Sequence, residues 1–226
     1  MASPAIVVVA YKIPKTRVRD FVAWNSHEIT AAKAYLFVVC EEATADSSEE
    51  ALWELGMPLA CPSPMSIFSL CRAANYGIRC AVEERYSPIL KTDIDVVFDG
   101  QLQTLLAVDE KTANAPKYLD CPSYAKRREA RGILPKGQGS ICMTADNWRL
   151  LQGYDERFVG WGGDDNEMCA RIKERGIRLN DDMKVCHIAH EVNTKWNREF
   201  NPRNWHNNQK LKIRPVGSQP CWGMGQ

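Results

Sequence analysis

Apolar residues in this chain come in short, unbroken runs set between longer polar stretches. Residues 6–10 and 35–40 are such runs, rich in Val, Ile and aromatic side chains, without polar alternation. Unalternated runs of this length predict strands covered on both faces. After the first, Pro14 blocks a ladder, residues 11–17 form a loop, and residues 18–25 predict a helix. After the second come the acidic pair Glu41 and Glu42 and, over 43–55, a polar loop with a short helix. Strand, helix, strand at this spacing is a βαβ unit, and so a parallel sheet.

Residues 69–82 predict a helix with Leu70, Ala73, Ala74 and Ile78 on one side and Arg72 and Asn75 on another. Residues 88–92 lead into a strand over 93–98 that carries Asp93 and Asp95 at alternate positions, on one face. Residues 111–136 hold Lys111, Lys117, Lys126, Arg127, Arg128, Arg131 and Lys136 and few large apolar side chains. They read as a long, partly mobile loop over a site, the alternative being a merely solvated loop. Residues 137–143 resume as a strand, and Thr144 caps a helix through Leu151 that Gly153 ends. A further helix opens at Asp165 and stops before Gly176, and residues 184–186 form a short strand leading into His187 and His190. The class is α/β, with a mostly parallel central sheet flanked by helices. It is one domain over 1–226: a nucleotide-binding half to about residue 110, a catalytic and acceptor half over 111–205, and a tail over 206–226.

Composition changes this picture little. The 226 residues carry a net charge of +1, so no global field argues for nucleic acid or a membrane. Nine cysteines without a CxxC pair, and no readable signal peptide, predict reduced thiols in a cytoplasm-like compartment. No stretch reaches the apolar length of a membrane span. The expectation is a soluble, cytoplasmic protein.

Two stretches carry candidate chemistry. In open α/β sheets ligands gather at the carboxyl ends of strands. An Asp-x-Asp there (Asp93, Asp95) is a candidate site for a metal and a diphosphate, the alternative being a solvated strand end. The second is Gly160-Trp161-Gly162-Gly163-Asp164-Asp165. It presents a tryptophan on a glycine-rich turn and places two carboxylates at a helix start. There the partial positive charge of the helix terminus favours their ionised form, as a general base needs. An ordinary N-cap is the alternative for one Asp, but not for two with three glycines and Trp161.

In this order the motifs resemble the β-1,4-galactosyltransferases and their relatives of the GT-A glycosyltransferase superfamily. The series runs through Tyr11-Lys12 with Arg17, Asn75-Tyr76-Gly77-Ile78, Asp93-Ile94-Asp95 and Gly137-Gln138-Gly139-Ser140. It continues through Gly153-Tyr154-Asp155 and Trp161-Gly162-Gly163-Asp164-Asp165 to His187-Ile188-Ala189-His190. The resemblance implies the GT-A, Rossmann-like nucleotide-diphospho-sugar transferase fold. It implies a divalent cation held by Asp95 and His190, with His187 where the galactosyltransferases have a methionine ligand. A carboxylate, imidazoles and diphosphate oxygens suit Mn²⁺, with Mg²⁺ less well served. It further implies Asp165 as catalytic base, Asp164 as its acidic neighbour gripping hydroxyls, and Trp161 stacked on sugar. Asp93 would lie near the donor ribose or sugar, Gly139 in the donor site, and Lys12, Arg17 and Arg72 near the nucleotide. Glu41 or Glu42 would meet the base. The family's third acid is Asn166 here, so the acceptor preference need not match.

The expected activity is therefore metal-dependent, inverting transfer from a nucleotide sugar, a UDP-sugar first of all, to a hydroxyl of a glycan or glycoconjugate. Hydroxymethylated bases in DNA are the alternative acceptor. Lys195, Arg198, Arg203, Lys210, Lys212 and Arg214 interleave with Trp196, Phe200 and Trp205, a pattern that suits phosphate contact and base stacking. Two other classes compete: a sugar-nucleotide or carbohydrate-binding module without catalysis, and a nucleotide hydrolase or nucleotidyltransferase using Asp-x-Asp and Mg²⁺. The first leaves the base unexplained and the second leaves the Trp-Gly-Gly-Asp-Asp turn unexplained.

Overall fold

The computed structural model describes residues 2–10, 15–40, 55–61, 69–134, 139–158 and 162–189. The strands of the main sheet are β1 (Ala5–Val9), β2 (Tyr35–Cys40), β3 (Gly56–Ala60), β4 (Ile89–Thr92), β6 (Thr112–Asn114), β8 (Ile141–Met143) and β9 (Arg178–Asn180). Their spatial order is β3-β2-β1-β4-β8-β6-β9. β5 (Val96–Val97), β7 (Lys117–Cys121) and β10 (Lys184–Ile188) form a smaller sheet, ordered β5-β10-β7. The helices are α1 (Lys15–Ala32), α2 (Leu70–Glu83), α3 (Leu102–Leu106), α4 (Ala145–Leu151) and α5 (Asp164–Glu174). The main sheet is mostly parallel: only β8 runs against its neighbours β4 and β6.

Both faces of the parallel strands are covered, which is why their sequences lack alternation. Val7, Val9, Phe37, Val39 and Ile89 pack with residues of α2, α4 and α5. Ile6, Val8, Leu36, Val38 and Leu90 pack with residues of α1 and α3 on the other face. Helix α2 comes so close to β1 and β2 that a Cβ on Gly77 would lie 2.6 Å from Val7 and Val39 methyl carbons. Ser69 and Thr144 cap α2 and α4, each accepting from the amide three residues on, at 3.3 and 3.2 Å. No helix among the described residues is long and apolar enough to cross a membrane. Their cysteines are all free thiols.

Several elements differ from the sequence reading. Helix α1 runs well beyond the expected 18–25, because Asn25 sits inside its buried face and hides the apolar stripe of Val18, Phe21 and Ile29. The Asn25 side chain donates to the carbonyls of Phe21 and Val96 at 3.0 and 2.9 Å and accepts from Phe98 N at 3.0 Å. Strand β3 was not expected: Gly56 and Pro58 weaken its signal, and proline is confined to sites such as this edge strand. Residues 111–134 are no open loop but contain β6, β7 and a turn closed by the bridge between Leu119 and Ile133. Much of their basic charge is engaged within the fold: Lys117 with Asp181, Lys126 with Glu129, and Arg127 with Asp99. The expected short helix over 43–55 lies mostly outside the described residues.

Candidate active site

Strand β4 ends at Thr92, short of the acids. The sequence predicts Asp93 and Asp95 within one strand, on one face; instead residues 93–95 turn between the two sheets, closed by Val96 N donating to Asp93 O at 3.3 Å. Each carboxylate has its own surroundings. Asp93 accepts from the Lys91 ammonium at 2.9 Å on one oxygen and from the Tyr118 hydroxyl at 3.0 Å on the other. Lys91 also donates to the Gly139 carbonyl at 2.8 Å. Ser140 and Thr92 share a hydrogen bond of 2.6 Å, and Tyr118 reaches Ser140 at 2.8 Å. A Cβ on Gly139 would lie 2.0 Å from Asp93 Oδ2, so only glycine lets β8 approach the acid this closely. Gly139→Ala is expected to displace the pinned carboxylate and cost about 1–3 kcal/mol, measured by urea denaturation.

The other carboxylates stand at the start of α5. Gly162 and Gly163 have φ of +101° and +92°, values that glycine alone adopts without strain. Gly163 is the N-cap, so both Asp164 and Asp165 lie inside the helix and neither is its cap. Helix α5 is anchored from beneath by Arg171, which is fully buried. Its guanidinium pairs with Glu167 at 2.6 Å and donates to the carbonyls of Leu151 and Gly153 at 2.6 and 2.8 Å. This ties α5 to the left-handed turn that closes α4, where Gln152 and Gly153 both have positive φ. Arg171→Leu removes the countercharge of buried Glu167 and is expected to cost about 3–5 kcal/mol. Replacing both partners with apolar residues should recover much of that loss in the same denaturation experiment.

Burial outweighs the helix terminus in setting the acids' charge. Asp164 is buried and Asp165 half-buried, with Asp165 Oδ1 out of solvent. Burial raises the pKa of Asp164, against the lowering pull of Lys91 and of the backbone amides at the helix start. Asp165 is held well above the usual carboxylate range by burial and by the charge of Asp164, with Asp93 adding to it. Lys91 and the Tyr154 hydroxyl act in the opposite direction. The expectation that the helix terminus alone keeps both ionised is corrected accordingly.

Asp95 lies across the same edge, against the smaller sheet. Its Oδ2 is 3.3 Å from His187 Nε2, and its backbone carbonyl accepts from Ile188 N at 2.8 Å. The Tyr118 ring stacks on the imidazole with centroids 5.6 Å apart. Burial pulls the His187 pKa down, but the bond and charge of Asp95 outweigh it and the net shift is upward. A carboxylate oxygen and an imidazole nitrogen converging in this way fit a divalent cation of the Mn²⁺ type. Among the described residues no cluster of three or more ligating side chains forms. The further ligand expected from the sequence, His190, lies outside them, as do Lys12, Trp161, the pair Glu41 and Glu42, and the basic and aromatic segment 195–214.

Of the remaining candidates, Arg17 is half-buried in the opening turn of α1. Arg72 is paired with Glu156 at 3.5 Å, and Glu156 in turn accepts from Asn75 at 2.9 Å. The residues missed in the sequence are Lys91, Tyr118 and the anchor Arg171. Lys91 has a signal: a lysine directly after the apolar pair Ile89-Leu90, two positions before the Asp-x-Asp.

Residues 124–192 match the family model described as the N-terminal domain of galactosyltransferase. A search of curated protein sequences gives no match. Among solved structures, the catalytic domain of Drosophila beta-1,4-galactosyltransferase 7, in complex with xylobiose, superposes with a TM-score of 0.60 at 15% identity. The match covers 96% of this chain and 83% of that one. A mannosyltransferase from Pyrobaculum calidifontis, in complex with GDP-mannose and Mn²⁺, gives 0.59 at 12% identity over 98% and 67% of the two chains. Glucosyl-3-phosphoglycerate synthase from Mycobacterium tuberculosis, in complex with Mn²⁺, UDP and glucosyl-3-phosphoglycerate, gives 0.57 at 13% over 84% and 72%. The matched family and these neighbours are glycosyltransferases, and the fold is the GT-A fold. The chain therefore has the GT-A fold, and its residues 124–192 resemble galactosyltransferases in sequence.

Proposed function

We propose that this protein is a metal-dependent, inverting glycosyltransferase that moves a sugar from a nucleotide sugar, a UDP-sugar first, to a hydroxyl of a glycan or glycoconjugate. The observation that carries this reading is the gathering of acids from distant motifs. Asp93 from the end of β4 and Asp164 and Asp165 from the start of α5 act electrostatically on one buried ammonium, Lys91. Asp95 and His187 lie beside them at the carboxyl edge of the parallel strands, where open α/β sheets take ligands. The match over residues 124–192 includes Asp164, Asp165 and His187 and supports the same reading. So do neighbours crystallised with UDP or GDP-mannose and Mn²⁺.

The roles follow from the chemistry of each group. Asp165 takes the proton of the acceptor hydroxyl as that oxygen attacks the anomeric carbon from the face opposite the diphosphate. The bond from the anomeric carbon to the diphosphate oxygen breaks, and its electron pair leaves with the diphosphate. Asp164 grips an acceptor or sugar hydroxyl beside the base. Asp93, held on both oxygens, receives the donor's sugar or ribose hydroxyls. Asp95 and His187, together with His190, are the residues that would hold the cation, which when bound would neutralise the charge of the departing diphosphate. A single base on one side of the anomeric carbon supports inversion.

The test is binding of uridine and guanosine diphosphates by calorimetry, with Mn²⁺ and with EDTA. The expected result is binding of UDP that requires the cation. Equal binding in EDTA would overturn the metal-dependent reading. Transfer to a glycan acceptor is expected to be insensitive to salt, whereas a DNA acceptor would show a steep salt dependence.

A further inference from the structure

Tyr118 stands on β7 of the smaller sheet, yet its hydroxyl reaches the end of the main one. The residue is 3% exposed and packs in the core layer that holds Leu90, Ile94 and Val185. Its hydroxyl lies 3.0 Å from Asp93 Oδ2 and 2.8 Å from Ser140 Oγ, and Ser140 Oγ lies 2.6 Å from Thr92 Oγ1. Each hydroxyl has one proton, and a carboxylate only accepts. The Tyr118 proton therefore goes to Asp93, Ser140 donates to Tyr118, and Thr92 donates to Ser140. This buried chain has one direction, and it ends on the acid.

The ring of the same side chain serves the other part of the site. It meets the His187 imidazole with centroids 5.6 Å apart and planes 23° from parallel. The strand register explains the contact. Tyr118 pairs with Val185 and Asp120 with His187, so Tyr118 and His187 are diagonal neighbours on one face of β7 and β10. The imidazole is 3.3 Å from Asp95 through Nε2. Held between a ring face and a carboxylate, it loses freedom to rotate. We propose that Tyr118 is a positioning residue with two separable tasks: its hydroxyl fixes Asp93 for the donor, and its ring fixes His187 for the cation. What the two groups bind rests on the transferase reading; the two contacts themselves do not. A tyrosine that only filled the core would, on substitution, lower stability and leave both affinities as they are.

Two substitutions separate the tasks. Tyr118→Phe keeps the ring and loses the hydroxyl, whereas Tyr118→Leu loses both. Each folded variant is titrated by calorimetry with Mn²⁺ alone, then with UDP-galactose, or the sugar nucleotide the parent prefers, at saturating Mn²⁺. Tyr118→Phe is expected to bind Mn²⁺ as the parent does and the donor about tenfold more weakly, the usual order for a lost hydrogen bond to a charged group. Tyr118→Leu is expected to weaken Mn²⁺ binding about 10- to 100-fold, as losing a group that orients a metal ligand does. Parent-like donor binding by Tyr118→Phe, or parent-like Mn²⁺ binding by Tyr118→Leu, would overturn the proposal. So would an equal loss of Mn²⁺ affinity in the two variants. Should Tyr118→Leu fail to fold, Tyr118→Phe decides alone, by a weaker donor at unchanged Mn²⁺ affinity. If the parent binds no sugar nucleotide, the transferase reading fails, and carbon-13 NMR of the Asp93 carboxyl and the His187 imidazole, without ligand, still tests the division of tasks. In Tyr118→Phe the Asp93 signal alone should move; movement of both signals or of neither overturns the proposal.

Discussion

Asp165→Asn is expected to lower sugar transfer by about a hundred- to ten-thousand-fold, the range general-base catalysis contributes. Nucleotide-sugar binding should survive, and the melting temperature at pH 7 should not fall. The reasoning joins the site's chemistry to its cost. Burial and the charge of Asp164 raise the folded-state pKa of Asp165 above its unfolded value. A carboxyl shifted in that direction contributes stability at low pH, where it is protonated in both states. That contribution is lost as pH rises through the folded-state pKa, because the fold must then hold a disfavoured charge. Asparagine removes this cost, so the melting temperature of the variant relative to the parent should rise between acid and neutral pH. The same shift places the acid limb of the parent's pH–rate profile above the ordinary carboxylate range, since the base acts only when ionised. Melting curves across pH, together with single-turnover transfer assays, check both halves. Full transfer by Asp165→Asn would remove it as the base.

Asp95→Ala is expected to weaken cation-dependent donor binding by about 100-fold or more, beyond the effect usual for second-shell partners of a metal. The fold around it should persist. The joint between β5 and β10 uses the Asp95 backbone carbonyl, which accepts from Ile188 N at 2.8 Å and remains in alanine. What alanine removes is the carboxylate that meets His187 at 3.3 Å. Calorimetric titration with Mn²⁺ and UDP measures the loss, and circular dichroism checks the fold. Tight, cation-independent donor binding by this variant would contradict the assignment of the ligand.

What the sequence made legible depended on how each residue's environment is encoded. Strand β2 has the predicted bounds, Tyr35–Cys40, because two covered faces leave an unbroken apolar run. Helix α4 carries local cap chemistry at Thr144, which needs no tertiary context. The Asp93–Asp95 pair was correctly placed at the edge of the sheet but wrongly placed in a strand. Alternation in sequence does not reveal that β4 hands over to a different sheet at Asp93. Helix α1 was cut short because the buried Asn25 satisfies partners on β5 and beyond, a long-range fact invisible locally. The charges of residues 111–134 suggested an open loop for a similar reason. Their partners Asp99 and Asp181 belong to other segments. At the start of α5 the helix terminus is legible, but the burial that outweighs it is not, because desolvation depends on how the whole chain packs and not on the local sequence.

The central claim, cation-dependent sugar transfer, is tested most directly by nucleoside diphosphate release from a panel of sugar nucleotides, with Mn²⁺, Mg²⁺ or EDTA. Each donor is assayed with and without glycan acceptors and hydroxymethylated DNA. The account predicts one preferred UDP-sugar, release that requires the cation, and stimulation by a glycan hydroxyl. Neither release nor binding of any donor would contradict it and remove the catalytic roles given to Asp165 and Asp164.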